Sequence, residues 1–249
     1  MALVLSLVAL DRTRLPPDDE LSRILSAESP GTEGPHQFRR RGDILTFEFT
    51  GHDVALALMA AAIPEQDLEG PIAASSLWPE ASVELRRQRA HLVVTVFAKK
   101  ADPIKLWMTM TRVVAALAAV PSVIGIFWVV AGLVHSATTF RALARNMSRE
   151  HLPLFLWIGF RVGQNPDGSL YGFTTGLQAL DHMELEVSQC NWTADELVDR
   201  LFNFAHYLID RGPVLLDGET IGISADEQIA IEHRLSLCGD GRMVIHLQP

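Results

Sequence analysis

Residues 113–134 read VVAALAAVPSVIGIFWVVAGLV, an apolar run long enough on hydropathy alone to span a bilayer. Pro121-Ser122 sits in its middle, and the two sides differ in character. Residues 113–120 finish a helical pattern that begins at Asp102-Pro103, an N-cap acceptor followed by a residue already held at helical φ. Leu106, Trp107, Met110, Val113, Val114 and Leu117 recur at helical spacing, which predicts one broad buried face. Residues 123–130 are mainly β-branched and aromatic, the composition of a strand. A helix that stops at a proline, followed by a buried strand, accounts for the run without lipid. The expectation is a layered protein with no membrane partner.

Outward from this stretch the pattern stays mixed. Met1 to Leu10 (MALVLSLVAL) has no basic residue before its apolar run, and Asp11-Arg12 follows, so it reads as a central buried strand rather than a signal peptide. Leu45, Phe47 and Phe49, then Val54, Leu56 and Leu58, alternate with polar or small residues on either side of Gly51-His52-Asp53, which predicts a hairpin. Leu92 to Ala98 and Leu152 to Phe160 read as inner strands. Residues 27–42 have no apolar period and are expected to form a mobile loop with a solvated Arg39-Arg40-Arg41 triplet.

In the second half, Asn165-Pro166-Asp167-Gly168 is a turn, and Thr193 with Glu196 forms a capping box that opens the clearest helix. Leu197, Leu201, Phe204, Ala205 and Leu208 are its stripe, and Gly212-Pro213 ends it. Asp217-Gly218 and Gly239-Asp240-Gly241 are further turns between strands. The expected order is β-α-β-β-α-β-α-β-α, then β-β-β-α-β-β-β. This is an α+β chain of mixed and antiparallel sheets covered by helices. Two packed α/β halves, 1–149 and 150–249, are expected in one compact unit.

The chain has 249 residues, 48% of them apolar, and 21 Lys+Arg against 30 Asp+Glu give a net charge of -9. That balance opposes binding to duplex nucleic acid or anionic lipid. Two cysteines, Cys190 and Cys238, indicate a reducing compartment, and a cytoplasmic location is expected. No nucleophile elbow, phosphate-binding glycine loop, zinc spacing or HExxH is present, so no catalytic residue, metal or cofactor is assigned.

The candidate binding residues are few. On a strand, His182, Glu184 and Glu186 would share one face, where an imidazole and two carboxylates hold a divalent metal or share a proton. The same alternation also describes a half-buried strand with Met183 and Leu185 inward. His91, entering an apolar run, is either a ligand or a core histidine satisfied by a backbone carbonyl. Trp128 and Trp157 lie in strand-like apolar runs and either pack the core or line a groove.

Seven stretches, in one order along the chain, resemble the bacterial family known as domain of unknown function 4261. They are Ile63-Pro64 with Asp67-Leu68-Glu69; Trp78; Ala90-His91-Leu92-Val93-Val94; Ile126-Phe127-Trp128; Leu152-Pro153 with Leu156-Trp157-Ile158; Thr175-Gly176-Leu177 with Glu184-Leu185-Glu186; and Asp217-Gly218-Glu219-Thr220-Ile221-Gly222. Such families often carry Tyr-Trp-Gly where Phe127-Trp128-Val129 stands, so no tyrosine role is carried over there. The resemblance implies a cytoplasmic binding protein, with toxin neutralisation suggested by the gene neighbourhoods of some members. It implies no enzymatic activity.

Three functions are therefore expected as alternatives. The first is a non-catalytic immunity or adaptor protein whose acidic surface neutralises a basic toxin or effector domain. The second is a hydrolase or metal-assisted enzyme using His182, Glu184, Glu186 and His91. The third is a small-molecule sensor with Trp128 or Trp157 in a cleft. A homodimer and a monomer are both left open, since β-rich surfaces can pair at their edges.

Overall fold

A computed structural model describes residues 2–100, 102–224 and 227–249. The chain divides into two compact units, Met1–Trp157 and Ile158–Pro249.

The first unit contains, in order, β1 (Ala2–Leu10), α1 (Asp18–Glu28), β2 (His36–Arg41), β3 (Ile44–Phe49), β4 (His52–Met59), α2 (Glu65–Ala73) and α3 (Ala81–Glu84). It continues through β5 (Ala90–Ala98), α4 (Pro103–Leu117), β6 (Val123–Trp128), β7 (Leu133–Ser136), α5 (Ala137–Ala144) and α6 (Leu154–Trp157). Its strands form a seven-stranded sheet in the order β2-β3-β4-β5-β1-β6-β7, with every pair antiparallel. β1 lies inside the sheet, as its apolar run predicts.

Pro121 does what the sequence indicates. α4 stops at Leu117, Asp102 caps its start by accepting from the Ile104 N–H at 2.9 Å, and β6 begins two residues after the proline. The end of the apolar run is more broken than expected: a 3₁₀ turn at Val129–Ala131 and Gly132 at φ 60° reverse the chain into β7. Among the described residues no helix is long and apolar enough to cross a membrane.

α4 packs against β1, β5 and α1, and it presents Trp107 to Trp128 of β6 and Trp157 of α6. Both ring pairs meet edge-on at 5.5 Å, the geometry aromatic quadrupoles favour. On the opposite side of the sheet a smaller core of Ile63, Leu68, Trp78, Leu85, Phe127 and Val134 holds α2 and α3 over one end. Gly125 is required there, because a β-carbon would lie 2.4 Å from the Trp78 ring.

Two expectations for this unit are corrected. Residues 36–41 form a strand rather than a mobile loop: β2 is an exposed edge strand, so burial imposes no apolar period on it. Phe38 stacks on Phe47 with ring centroids 5.1 Å apart, and Arg40 pairs with Asp18 and donates to the Pro16 carbonyl at 3.0 Å. Residues 152–160 are not one strand. Pro153 starts the short α6, and pairing begins only at Gly159.

The second unit contains β8 (Gly159–Gln164), β9 (Leu170–Thr175), β10 (Glu184–Cys190), α7 (Ala194–Arg211), β11 (Thr220–Ile221), β12 (Ile229–Leu235) and β13 (Met243–Gln248). This β-β-β-α-β-β-β order is the expected one. The sheet order is β11-β12-β13-β10-β9-β8, and β10 with β13 is the parallel pair among antiparallel neighbours. The chain is thus α+β, with helices on mixed and antiparallel sheets. α7 carries the full capping box: the Thr193 hydroxyl accepts from the Glu196 N–H, and the Glu196 carboxylate accepts from the Thr193 N–H at 2.8 Å. Its buried stripe is Leu197, Leu201, Phe204, Ala205 and Leu208, as the sequence predicts, with Ile209 added.

Candidate functional site

The His182–Glu186 segment does not form the three-residue face its alternation predicts. β10 begins at Glu184. Asp181 takes the left-handed φ of 64°, and the His182 N–H donates to the Leu177 carbonyl at 3.1 Å, so His182 belongs to a turn. Its ring is half-buried; desolvation lowers its pKa against the opposing charge of Asp181.

The two carboxylates are each committed to a different turn. Glu184 accepts from Thr174 Oγ1 at 2.7 Å, the Gly176 N–H at 2.8 Å and the Gln178 N–H at 3.1 Å. Glu186, only 5% exposed, accepts from Ser236 Oγ at 2.9 Å and the Leu237 N–H at 3.2 Å, with Cys238 Sγ at 3.7 Å. A buried carboxylate costs heavily unless such donors surround it. Among the described residues no group of three His, Cys, Asp or Glu is placed to hold a metal.

His91 and the tryptophans are also internal. His91 Nδ1 lies 2.7 Å from the Ala61 carbonyl, which makes it the donor that ties residues 60–64 to β5. Trp128 and Trp157 are fully buried, so a ligand reaches neither without opening the core. Trp157 Nε1 donates to Thr111 Oγ1 at 2.8 Å, and that hydroxyl donates to the Trp107 carbonyl at 2.8 Å. Beside this cluster the buried His135 meets Phe140 edge-on. Burial lowers its pKa to about 4, with the Leu156 backbone weakly opposing, so the ring is neutral at neutral pH.

A polar line on the second sheet has no counterpart in the sequence reading. In β10, β13 and β12, Glu186 stands beside His246, and His246 faces Glu232. Ser188 Oγ is 2.9 Å from His246 Nε2, and Glu232 Oε2 is 3.9 Å from Nδ1. Burial and the Arg234 charge lower the His246 pKa, with Glu186 and Glu232 opposing. A nucleophile–base pair also needs the base oriented by a third hydrogen bond. The 3.9 Å separation exceeds hydrogen-bond range, and among the described residues Nδ1 has no hydrogen-bond partner to orient the ring.

Each unit also carries a surface groove. In the first unit a cavity of about 580 Å³ runs between α2 and α3 over Ile63, Leu68, Ile72 and Leu85. In the second, about 680 Å³ lies between Asn203, Phe204 and Tyr207 of α7 and the segment Val214–Ile223, with Glu219 among the lining residues. That segment is firmly built. Asp217 Oδ1 accepts from the His233 N–H at 2.7 Å, and the Gly218 N–H donates to the Ile231 carbonyl at 2.9 Å. Gly222 passes so close to the Glu227 carbonyl that a β-carbon would sit 2.2 Å from its oxygen. Arg200 then locks Glu227 to α7 at 2.7 Å while stacking 4.3 Å over the Trp192 ring.

Charge separates the units completely. Residues 1–157 hold 16 Asp+Glu and 16 Lys+Arg, whereas residues 158–249 hold 14 Asp+Glu against 5 Arg and no Lys. The whole net charge of -9 therefore belongs to the second unit.

Residues 173–248 match the family described as domain of unknown function (DUF4261). This is the family the sequence motifs resemble, and the match runs from within β9 to β13 of the acidic unit. Neither a curated protein nor a solved structure matches the chain. Within the DUF4261 segment, the quoted motif residues Gly176, Glu184, Asp217, Gly218 and Gly222 all shape turns.

Proposed function

We propose that the chain is a non-catalytic binding protein whose acidic DUF4261 unit docks a basic protein domain, in the manner of an immunity or adaptor protein neutralising a toxin or effector. The observation that carries this reading is the charge segregation: 14 acidic residues against 5 basic ones in residues 158–249, beside a neutral first unit. Such a field accelerates encounter with a cationic partner and leaves a steep salt dependence. The exposed α7 residues Asp195, Asp199 and Asp210, with Glu219 at the adjacent groove, supply charge on one side of the unit. Glu184 and Glu186, spent on internal turns, are not available to substrates or metals.

The test is affinity capture with the full chain from its native host, followed by titration of the purified pair from about 50 to about 500 mM salt, a range over which screening becomes severe. A basic partner whose affinity falls at least tenfold, and falls again in Asp199→Lys and Glu219→Lys, is the expected result. A partner equally sensitive to Glu65→Lys and Asp67→Lys in the first unit, or indifferent to salt, overturns the proposal.

A further inference from the structure

The groove of the second unit joins two features that an extended peptide recognises together, an unpaired strand edge and an apolar trough. β11 is the last strand of its sheet, and β12 is the strand it pairs with. The Ile231 N–H donates to the Glu219 carbonyl at 2.9 Å, and antiparallel backbone groups alternate between the two sides of a strand. Glu219 and Ile221 therefore turn their backbone polar groups toward β12, and Thr220 turns its own toward the open edge. Beside that edge lies the cavity of about 680 Å³. Phe204 and Leu215 are its buried lining, while Tyr207 and Ile223 are 42% and 52% exposed. Its walls are held by contacts of the unit's own. Asp217, Gly218 and the Arg200–Glu227 pair fix the strand side, and the Glu219 carboxylate accepts from the Leu216 N–H at 3.0 Å. Such preformed walls lower the ordering cost of binding.

We propose that this groove takes an extended segment of the cationic partner, laid against Thr220 with an apolar side chain in the trough and lysine or arginine beside it. The inference rests on the docking function proposed above and narrows it to one site and one form of contact. Charge selects the occupant. Asp199, Asn203 and Tyr207 stand four residues apart and so share one stripe of α7, with Asp210 a turn further on. Glu219 lines the same groove. The two arginines of α7 are already engaged, Arg200 with Glu227 at 2.7 Å and Arg211 with Asp210 at 3.1 Å. An acidic segment would meet the same backbone edge and the same trough but the wrong field. Backbone pairing supplies affinity in this mode of recognition, and the side chain in the trough supplies specificity. The cavity volume lies within the range that encloses a small ligand or a few side chains.

The test is fluorescence anisotropy of a labelled heptapeptide, leucine-valine-leucine flanked on each side by two lysines, titrated with the full chain. Binding at about 50 mM salt is expected with a dissociation constant between about 1 and about 100 μM. Methylating the central amide nitrogens, which removes the donors of a paired strand, should weaken it at least tenfold. Tyr207→Ala, at an exposed position, should weaken it at least fivefold with an unchanged far-ultraviolet circular dichroism spectrum. A peptide with glutamates in place of the lysines should not bind. No binding of the lysine peptide at about 500 μM overturns the proposal, as does a dissociation constant that ignores both the methylation and Tyr207→Ala. The two readings fail separately. A lysine peptide whose binding weakens at about 500 mM salt but ignores Tyr207→Ala removes the groove and leaves the acidic docking surface standing. Equal binding of the lysine and glutamate peptides at both salt concentrations removes the docking function itself.

Discussion

The two units start from similar parts, an antiparallel-rich sheet with a long helix packed on it, and treat the face turned away from that helix in opposite ways. In the first, the positions of β1, β4 and β5 opposite α4 are mostly leucine, alanine, valine and phenylalanine, with Thr95 and Asp53 among them. In the second, the positions opposite the α7 side carry Glu186, Ser188, His246, Glu232 and Arg234, with Ser188 and His246 meeting at 2.9 Å. An apolar face gains stability from any apolar cover but is indifferent to which. A charged face gains little from cover yet selects its partner by sign. One chain thus holds a charge-balanced unit and an acidic one.

If the first unit rests on apolar burial, its largest loss should come from the aromatic centre. Trp107→Ala removes a fully buried indole touching two others and should cost about 3–5 kcal/mol in urea denaturation. A cost below about 1 kcal/mol would mean that the three rings do not anchor the core.

Acid should next separate the two modes. His135 is held neutral, with its folded pKa near 4 against 6.5 unfolded. The unfolded chain therefore binds the proton first, and stability present above pH 6.5 is lost as pH falls toward 4, by about 3 kcal/mol. His246, also lowered, adds in the same direction. His135→Phe should flatten the larger part of that slope in pH-dependent melting; a slope unchanged by the substitution would place the titration elsewhere.

The second unit should respond most to its latches. Glu186→Ala strands the Ser236 hydroxyl and the Leu237 N–H and should cost about 1–3 kcal/mol, with Glu186→Gln recovering part of it. The smallest effect is at the helix cap: Thr193→Ala should cost about 1 kcal/mol and be matched by Glu196→Ala, since the two side chains serve one box. If the cap outweighed the latch, the contrast between the units would fail.

What the sequence disclosed follows from the range of the physics involved. Pro121 and the Thr193 capping box act on residues within a turn of themselves, so their consequences were legible directly. β2 was hidden because an edge strand of arginines needs no apolar alternation, and α6 because Pro153 bends an apolar run that composition alone makes strand-like. The His182 reading failed at a backbone dihedral, Asp181 at φ 64°, which ends the alternation before the strand begins. Ser188 and His246 lie 58 positions apart and meet only through the parallel pairing of β10 with β13, a relation no local pattern encodes. The charge segregation was present in the letters but hidden within a single total.

That parallel pairing also governs the order in which the second unit can assemble. β13 sits between β12 and β10, so the meander of β8, β9 and β10 stays unjoined to β12 until residues 243–248 have left the ribosome. Until then two strand edges stand open and the Glu186 side chain lacks the strand beside it. A nascent chain stalled before Met243 should therefore be a preferred client of chaperones and proteases, and should reach its protected form only when that last strand slots in.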